Sequence, residues 1–274
     1  MKSRTGTRPD SDDEQRRLAM LIDADNAQPA VIEGLLAEVA KYGVASVKRI
    51  YGDFTSTRMT QWKQALLKHS INPVQQFAYT SGKNATDSSL IIDAMDLLYT
   101  RRFDGFCLVS SDSDFTRLAQ RLREEGLMVY GFGERKTPDA FVQACDKFIY
   151  TEVLRREIAE PAQPASKPAK AKATGQRKPE GKQPAADGGS STAPVAELPL
   201  QLIRQAIEDS SDDRGWAQLG HIGNYLVKVR PDFDPRLYGQ KKLSDLLKQY
   251  PKQLAMEERS PDGGGRGPYV RWRE

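Results

Sequence analysis

Apolar and polar positions alternate along this chain with two different periods. Short runs rich in β-branched and other apolar residues fall at 18–24, 44–51, 73–78, 105–110, 127–132 and 147–150, and they read as strands. Between them, apolar residues recur at helical spacing over 29–42, 57–69, 87–101, 114–125 and 138–145. Within 87–101, for example, Leu90, Ile91, Ala94, Leu97 and Leu98 share one face. Gly43 and Gly126 are natural helix stops. Strands alternating with helices through short connections predict an α/β fold, a Rossmann-like parallel sheet with helices on both faces. In such sheets ligands bind beyond the carboxyl ends of the strands.

The pattern breaks after residue 158. From 159 to 196 the one large aliphatic side chain is Val195, set among six prolines and the basic residues Lys167, Lys170, Lys172, Arg177, Lys178 and Lys182. Such a segment buries too little apolar surface to fold, and is expected to be a disordered, semi-extended basic linker. Periodicity returns over 197–274. Leu200, Ile203 and Ile207 suggest one helix, Trp216 to Leu226 a second, and residues 240–249 a third. Two strands, 253–258 and 269–272, flank the Gly-rich tip SPDGGGRG. Three helices and a hairpin outline a small winged helix. Four parts are therefore expected: a disordered tail at 1–17, an α/β domain at 18–158, the linker at 159–196 and the winged helix at 197–274.

Composition narrows the chemistry. The 274 residues include 41 Lys+Arg against 37 Asp+Glu, a net charge of +4 that by itself does not announce a nucleic-acid binder. Two cysteines, Cys107 and Cys145, and two histidines, His69 and His221, make no zinc spacing. Cys107 reads as a small core residue and both histidines as structural. No apolar run approaches 18 residues, and the polar first 17 residues do not resemble a secretory signal. A cytoplasmic protein is expected, with no membrane partner.

Carboxylates gather at the strand ends. LIDADN places Asp23 and Asp25 after the first strand, Asp87 opens the helix after TSGKNAT, and SSDSDF places Asp112 and Asp114 after the fourth strand. Any one of them serves as a helix cap or a first-turn charge, and Asp53 and Asp139 read that way. A parallel sheet, however, brings Asp23, Asp87 and Asp112 to one edge, where their mutual repulsion calls for a cation. Hard divalent ions take carboxylate oxygens together with substrate phosphate, and they can polarise a phosphodiester and activate water. The cluster therefore points to phosphodiester hydrolysis. A P-loop is excluded because Asn84 follows Lys83 and no glycine stands at 77. An aspartyl phosphatase, with Asp23 as nucleophile and Asp25 as acid/base, expects Thr or Val where Ala27 stands.

LIDADN, the K-x-x-T-D of residues 83–87 with Asp93 six residues on, and SSDSDF occur in order over 18–155 and together resemble the NYN domain, a PIN-like nuclease domain. The resemblance implies a Mg²⁺- or Mn²⁺-dependent ribonuclease. Asp23, Asp87 and Asp112 would be metal ligands and Asp114 a supporting ligand. Asn26 would orient a ligand or substrate, and Lys83 would contact the scissile phosphate. Asp25 would sit behind the ligands. Asp93, turned about 120° from Asp87 around the helix, reads as an exposed charge. Ser111 stands where the family usually has Gly. Gly215, Trp216, Leu219 and FDPRLYGQKKLSDLLKQYP resemble a LOTUS (OST-HTH) domain over 197–273, implying a winged helix that binds RNA, including structured G-rich RNA, or a protein partner. Arg236, Lys241, Lys242, Lys248, Arg266 and Arg271, interleaved with aromatics, are the candidate RNA contacts.

The expectation is a metal-dependent endoribonuclease that leaves a 3′ hydroxyl and a 5′ phosphate, with the C-terminal module concentrating RNA beside it. A homodimer is compatible with the PIN-like resemblance. The competing readings are a non-catalytic RNA-binding regulator and, further off, a small-molecule phosphatase.

Overall fold

The computed structural model describes residues 15–77, 85–159, 197–259 and 267–273. The first unit is built on six strands: β1 (Arg17–Asp23), β2 (Val44–Gly52), β3 (Asn72–Gln75), β4 (Gly105–Val109), β5 (Met128–Gly133) and β6 (Lys147–Tyr150). All pair in parallel, in the order β3-β2-β1-β4-β5-β6. The connecting helices are α1 (Ile32–Val39), α2 (Trp62–His69), α3 (Ala85–Tyr99), α4 (Thr116–Glu124) and α5 (Asp139–Ala144), with α6 (Thr151–Ala159) following the last strand.

Side chains of β1 alternate between two cores. Leu18, Met20 and Ile22 pack with α1, α2 and Leu154 of α6. Ala19 and Leu21 pack with α3, α4 and α5. Helices thus cover both faces, as the uninterrupted apolar runs of the strands require. Cys107 and Cys145 are free and buried, and Cys107 packs as a core residue.

Boundaries differ from the apolar pattern where local chemistry intervenes. The helical stretch expected over 29–42 opens as a short 3₁₀ turn, Pro29–Val31, before α1. Helix α1 ends at Val39, and Gly43 then lets the chain pass close to Arg16, whose carbonyl oxygen a Cβ there would meet at 2.3 Å. The chain turns at Gly126 with φ +80°, a conformation that glycine adopts freely. Helix α6 has no counterpart in the periodic pattern.

The second unit comprises α7 (Leu200–Ser210), β7 (Ala217–Gln218), α8 (Leu219–Val229), α9 (Leu243–Leu247), β8 (Leu254–Arg259) and β9 (Gly267–Trp272). Its antiparallel sheet has the order β7-β9-β8, the helices and small sheet of a winged helix. The expected second helix starts later than Trp216, because Ala217 and Gln218 pair with Val270 and Tyr269 first. The third helix is shorter than the expected 240–249.

The two units touch. Val153 of α6 belongs to the apolar cluster of the second unit, with Tyr150 packed against it. The Phe148 amide on the free edge of β6 donates to the Pro231 carbonyl at 2.8 Å. The Tyr150 hydroxyl donates to Asp232 at 3.2 Å. Arg236 bridges Asp234 (2.6 Å) and Glu38 of α1 (2.9 Å), and all three side chains are largely buried.

Candidate active site

The chain crosses the sheet in two directions. From β1 it winds outward through β2 to β3. Helix α3 then carries it back to β4 on the other side of β1. The crevice at such a reversal lies beyond the carboxyl ends of β1 and β4. Asp23 ends β1, and Ser110, Ser111 and Asp112 follow β4.

Asp23 is buried and fully engaged. Its Oδ2 accepts from Asn26 Nδ2 at 2.7 Å and from Ser110 Oγ at 2.8 Å, and its Oδ1 accepts from the Asp25 amide at 3.0 Å. Ser110 therefore ties the end of β4 to the end of β1. Burial pushes the Asp23 carboxyl above its usual range, against the lowering effect of those three bonds. Asp25 is exposed, and its backbone is what serves Asp23.

Asp112 caps the single turn Ser113–Phe115 by accepting from the Asp114 amide at 2.9 Å, and its own amide donates to Ser110 Oγ at 3.1 Å. The cap is thus Asp112, and Asp114 sits inside the turn. Ser111 is buried and its hydroxyl accepts from the Glu134 amide at 2.8 Å, pinning this loop to the end of β5. Asp87 enters from the first turn of α3, where the helix dipole favours a negative charge.

One carboxylate oxygen from each of Asp87, Asp112 and Asp114 lies within 4.8 Å of the others. Among the described residues no other group of three His, Cys, Asp or Glu side chains is so placed. Partial burial and then the charges of Asp23, Asp112 and Asp114 push Asp87 up to about 6. Asp23 lies close enough to act on Asp87 electrostatically but is outside the ring of three. The four residues expected at this edge thus lie near one another, but the close group is Asp87, Asp112 and Asp114, with the buried Asp23 beside it. Lys83 lies outside the described residues.

Asp93 is not an exposed helix charge. It accepts from Arg49 Nη1 at 2.7 Å and from the Tyr51 hydroxyl at 2.9 Å, fastening α3 to β2. The helical angle separated it correctly from Asp87 but gave no sign of its partners across the sheet. Asp53 closes its own turn by accepting from Thr55 and Gln75, and Asp139 opens α5.

In the second unit Lys241, Lys242 and Lys248 are exposed, with Lys248 3.6 Å from Asp245. Arg271 is exposed beside Trp216. Arg266 lies outside the described residues. Arg236 departs from its expected role, because its guanidinium is buried in the contact between the units and spent on Asp234 and Glu38. The signal for this was present in α1, where Glu38 falls on the same face as Leu35 and Val39 and so had to be buried with a partner.

A Rossmann-like sheet with an acidic crevice at its reversal point, followed by a winged helix, defines a PIN-like α/β domain joined to a nucleic-acid-binding type of module. The chain belongs to the NYN domain family, whose model matches residues 17–154. The OST-HTH/LOTUS domain model matches residues 192–265. Together these matches point to an RNA-related nuclease. No curated protein matches the chain. Among solved structures, an uncharacterized protein from Nitrosomonas europaea is 41% identical over 35% of this chain and 93% of its own, with a TM-score of 0.28. A fragment of a Chromobacterium violaceum protein is 37% identical over 28% of this chain and 83% of its own, with a TM-score of 0.24. A protein of unknown function from Vibrio parahaemolyticus is 18% identical over 50% of this chain and 94% of its own, with a TM-score of 0.43. Among the described residues no helix is long and apolar enough to cross a membrane.

Proposed function

We propose that this chain is a divalent-metal-dependent ribonuclease that hydrolyses RNA phosphodiester bonds and holds its substrate through the C-terminal module. The observation that supports this most directly is the convergence of Asp87, Asp112 and Asp114 within 4.8 Å. Three like charges at that spacing are unfavourable alone, and after partial burial the neighbouring charges are what raises the Asp87 carboxyl. Three hard oxygen donors suit Mg²⁺ or Mn²⁺. Such an ion supplies charge neutralisation on the phosphate and lowers the pKa of water.

The residues around it have separate tasks. Asp87, Asp112 and Asp114 hold the ion from two elements, α3 and the loop after β4. Asp23 keeps the ends of β1 and β4 in register through Ser110 and adds a negative charge beneath the site. Asn26 fixes the orientation of Asp23. Lys83 is assigned to the scissile phosphate. In the second unit the exposed Lys241, Lys242, Lys248 and Arg271 supply counter-charge to the RNA backbone.

Labelled RNA incubated with wild type and Asp112→Asn in Mg²⁺, Mn²⁺ or EDTA tests the reading. Cleavage by wild type with either ion, absent in EDTA and in the variant, is expected. RNA that is bound by wild type but left intact in every condition would establish a non-catalytic regulator instead.

A further inference from the structure

The face of the C-terminal module that combines charge with stacking surface is not the one around α9. Between α7 and the sheet runs a groove of about 720 Å³ whose walls include Trp216, Trp272, Arg204, Arg214, Arg271 and Arg273. The Arg259 guanidinium carbon lies 3.9 Å from the centre of the Trp216 ring, and that of Arg271 lies 5.0 Å from it. Arg204 stands 5.8 Å over Trp272.

Local chemistry builds this arrangement. Asp212 Oδ1 accepts from the amides of both Arg214 and Trp216, closing a turn around Gly215, whose φ of +73° favours glycine. That turn presents Trp216 to the arginines of β8 and β9. Carboxylates share the groove. Glu208 binds Arg204 at 2.7 Å and Glu257 binds Arg259 at 3.3 Å, which holds those two guanidiniums in place. Arg214, Arg271 and Arg273 form no ion pair within 4 Å among the described residues. The groove is therefore net cationic, with Arg204 and Arg271 already set against indole rings.

Around α9 the contrast is plain. Arg236 is consumed by Glu38 and Asp234, Tyr238 is buried, and among the described residues Lys241, Lys242 and Lys248 make no cation–π contact. Lysine clusters attract phosphate as point charges, whereas guanidinium planes and aromatic rings also stack on unpaired bases.

We propose that the groove between α7 and the small sheet is the principal single-stranded RNA site of the chain. Phosphates would lie on Arg214, Arg271 and Arg273, and bases would stack against Trp272 and the guanidinium of Arg204. This rests on the reading of the second unit as an RNA-binding module and says where on it the RNA lies. Among the described residues, none of these takes part in the contacts between the two units.

The test uses the full chain in EDTA, so that no RNA is cut, with a fluorescently labelled mixed-sequence single strand read by anisotropy. Arg214→Ala/Arg273→Ala changes two exposed positions and is expected to weaken binding about tenfold and to flatten the slope of log affinity against log salt by about 1.4. Lys241→Ala/Lys242→Ala/Lys248→Ala is expected to weaken it less than about threefold. Two of the chain's three tryptophans line the groove, and of these Trp272 is the more exposed, so RNA stacked on it quenches part of the emission, and Trp272→Phe, which keeps a ring packed at this position, reduces that quenching. The proposal is overturned if the lysine variant carries the loss while the groove variant binds as wild type, if the two lose equally, or if the same RNA annealed into a duplex binds as well as the single strand. If wild type binds no RNA at low salt, the RNA-binding reading of the module itself falls, and the groove with it.

Discussion

Glu38 and Arg236 are 198 positions apart in the chain and 2.9 Å apart in the structure, each largely buried. Glu38 also accepts from Lys41 and from the Tyr42 hydroxyl, both at 2.7 Å. This cluster joins the two units into one body. Removing one side of a buried ion pair leaves the other charge stranded, so Glu38→Ala is expected to destabilise the chain by about 3 kcal/mol. It should also enlarge the protein in small-angle scattering as the units part. Arg236→Ala should do the same while leaving the salt dependence of RNA binding unchanged, because its charge never faces the RNA.

Acid should open the same contact. Burial alone would raise the Glu38 carboxyl, but the bonds from Arg236, Lys41 and Tyr42 outweigh it and hold it at about 2. A depressed carboxylate contributes stability that is complete above its ordinary value near 4.5 and is lost as the pH falls through about 2. The contribution is about 3 kcal/mol. The difference in melting temperature between wild type and Glu38→Gln should therefore be constant from pH 7 to about pH 5, and should shrink towards pH 2. A difference that grows on acidification would contradict this assignment.

Asp87 carries the opposite sign. Its carboxyl is raised to about 6, so its charge costs the ion-free protein stability. That penalty is absent below about pH 4 and complete above about pH 6. In EDTA at pH 7.5, Asp87→Asn is expected to be more stable than wild type by roughly 1 kcal/mol, a value reduced for solvent screening of this half-buried group. Mg²⁺ or Mn²⁺ should raise the melting temperature of wild type and leave the variant unmoved. A variant less stable than wild type in EDTA would show that the carboxylates do not repel one another in the folded chain.

Asp23 and Asp114 should separate fold from chemistry. Asp114 is exposed at the mouth of the crevice, and Asp114→Ala is expected to lose RNA cleavage with a change in stability below about 0.5 kcal/mol. Asp23 is buried with three donors aimed at it. Asp23→Ala strands the Asn26 amide and the Ser110 hydroxyl, and should cost about 3 kcal/mol in addition to activity. Chemical denaturation of the two variants, set beside cleavage assays, checks the contrast. Equal losses of stability would put Asp114 in the same buried role.

Much of this was legible in the chain. The central strands β1, β4 and β5 announce themselves because both of their faces are buried, leaving apolar runs such as FCLV that no solvent-facing strand would carry. The acidic edge followed from parallel topology and from the carboxylates at strand ends. What the sequence could not rank was the order among them. Asp23 and Asp114 look alike as letters, and only the register of β1 against β4 decides which is buried and which is exposed. Asp93 and Arg236 were misplaced because their partners, Arg49 with Tyr51 and Glu38, lie across the fold: periodicity marks Glu38 as a buried charge but does not name the residue that pairs with it. Trp216 was read as part of a helix because apolar spacing continues through it, while the two residues after it were claimed by β9.

The bond from the Phe148 amide to the Pro231 carbonyl has a meaning beyond holding two units together. β6 is the last strand on its side of the sheet, and the open rim of a parallel sheet invites a strand from another molecule. Here that rim is occupied by the chain's own C-terminal half, which also covers Val153 and packs on Tyr150. Cut away from that half, the first unit would leave the Phe148 amide and the Val153 patch uncovered. The C-terminal module is thus also a cover for the rim of the first unit.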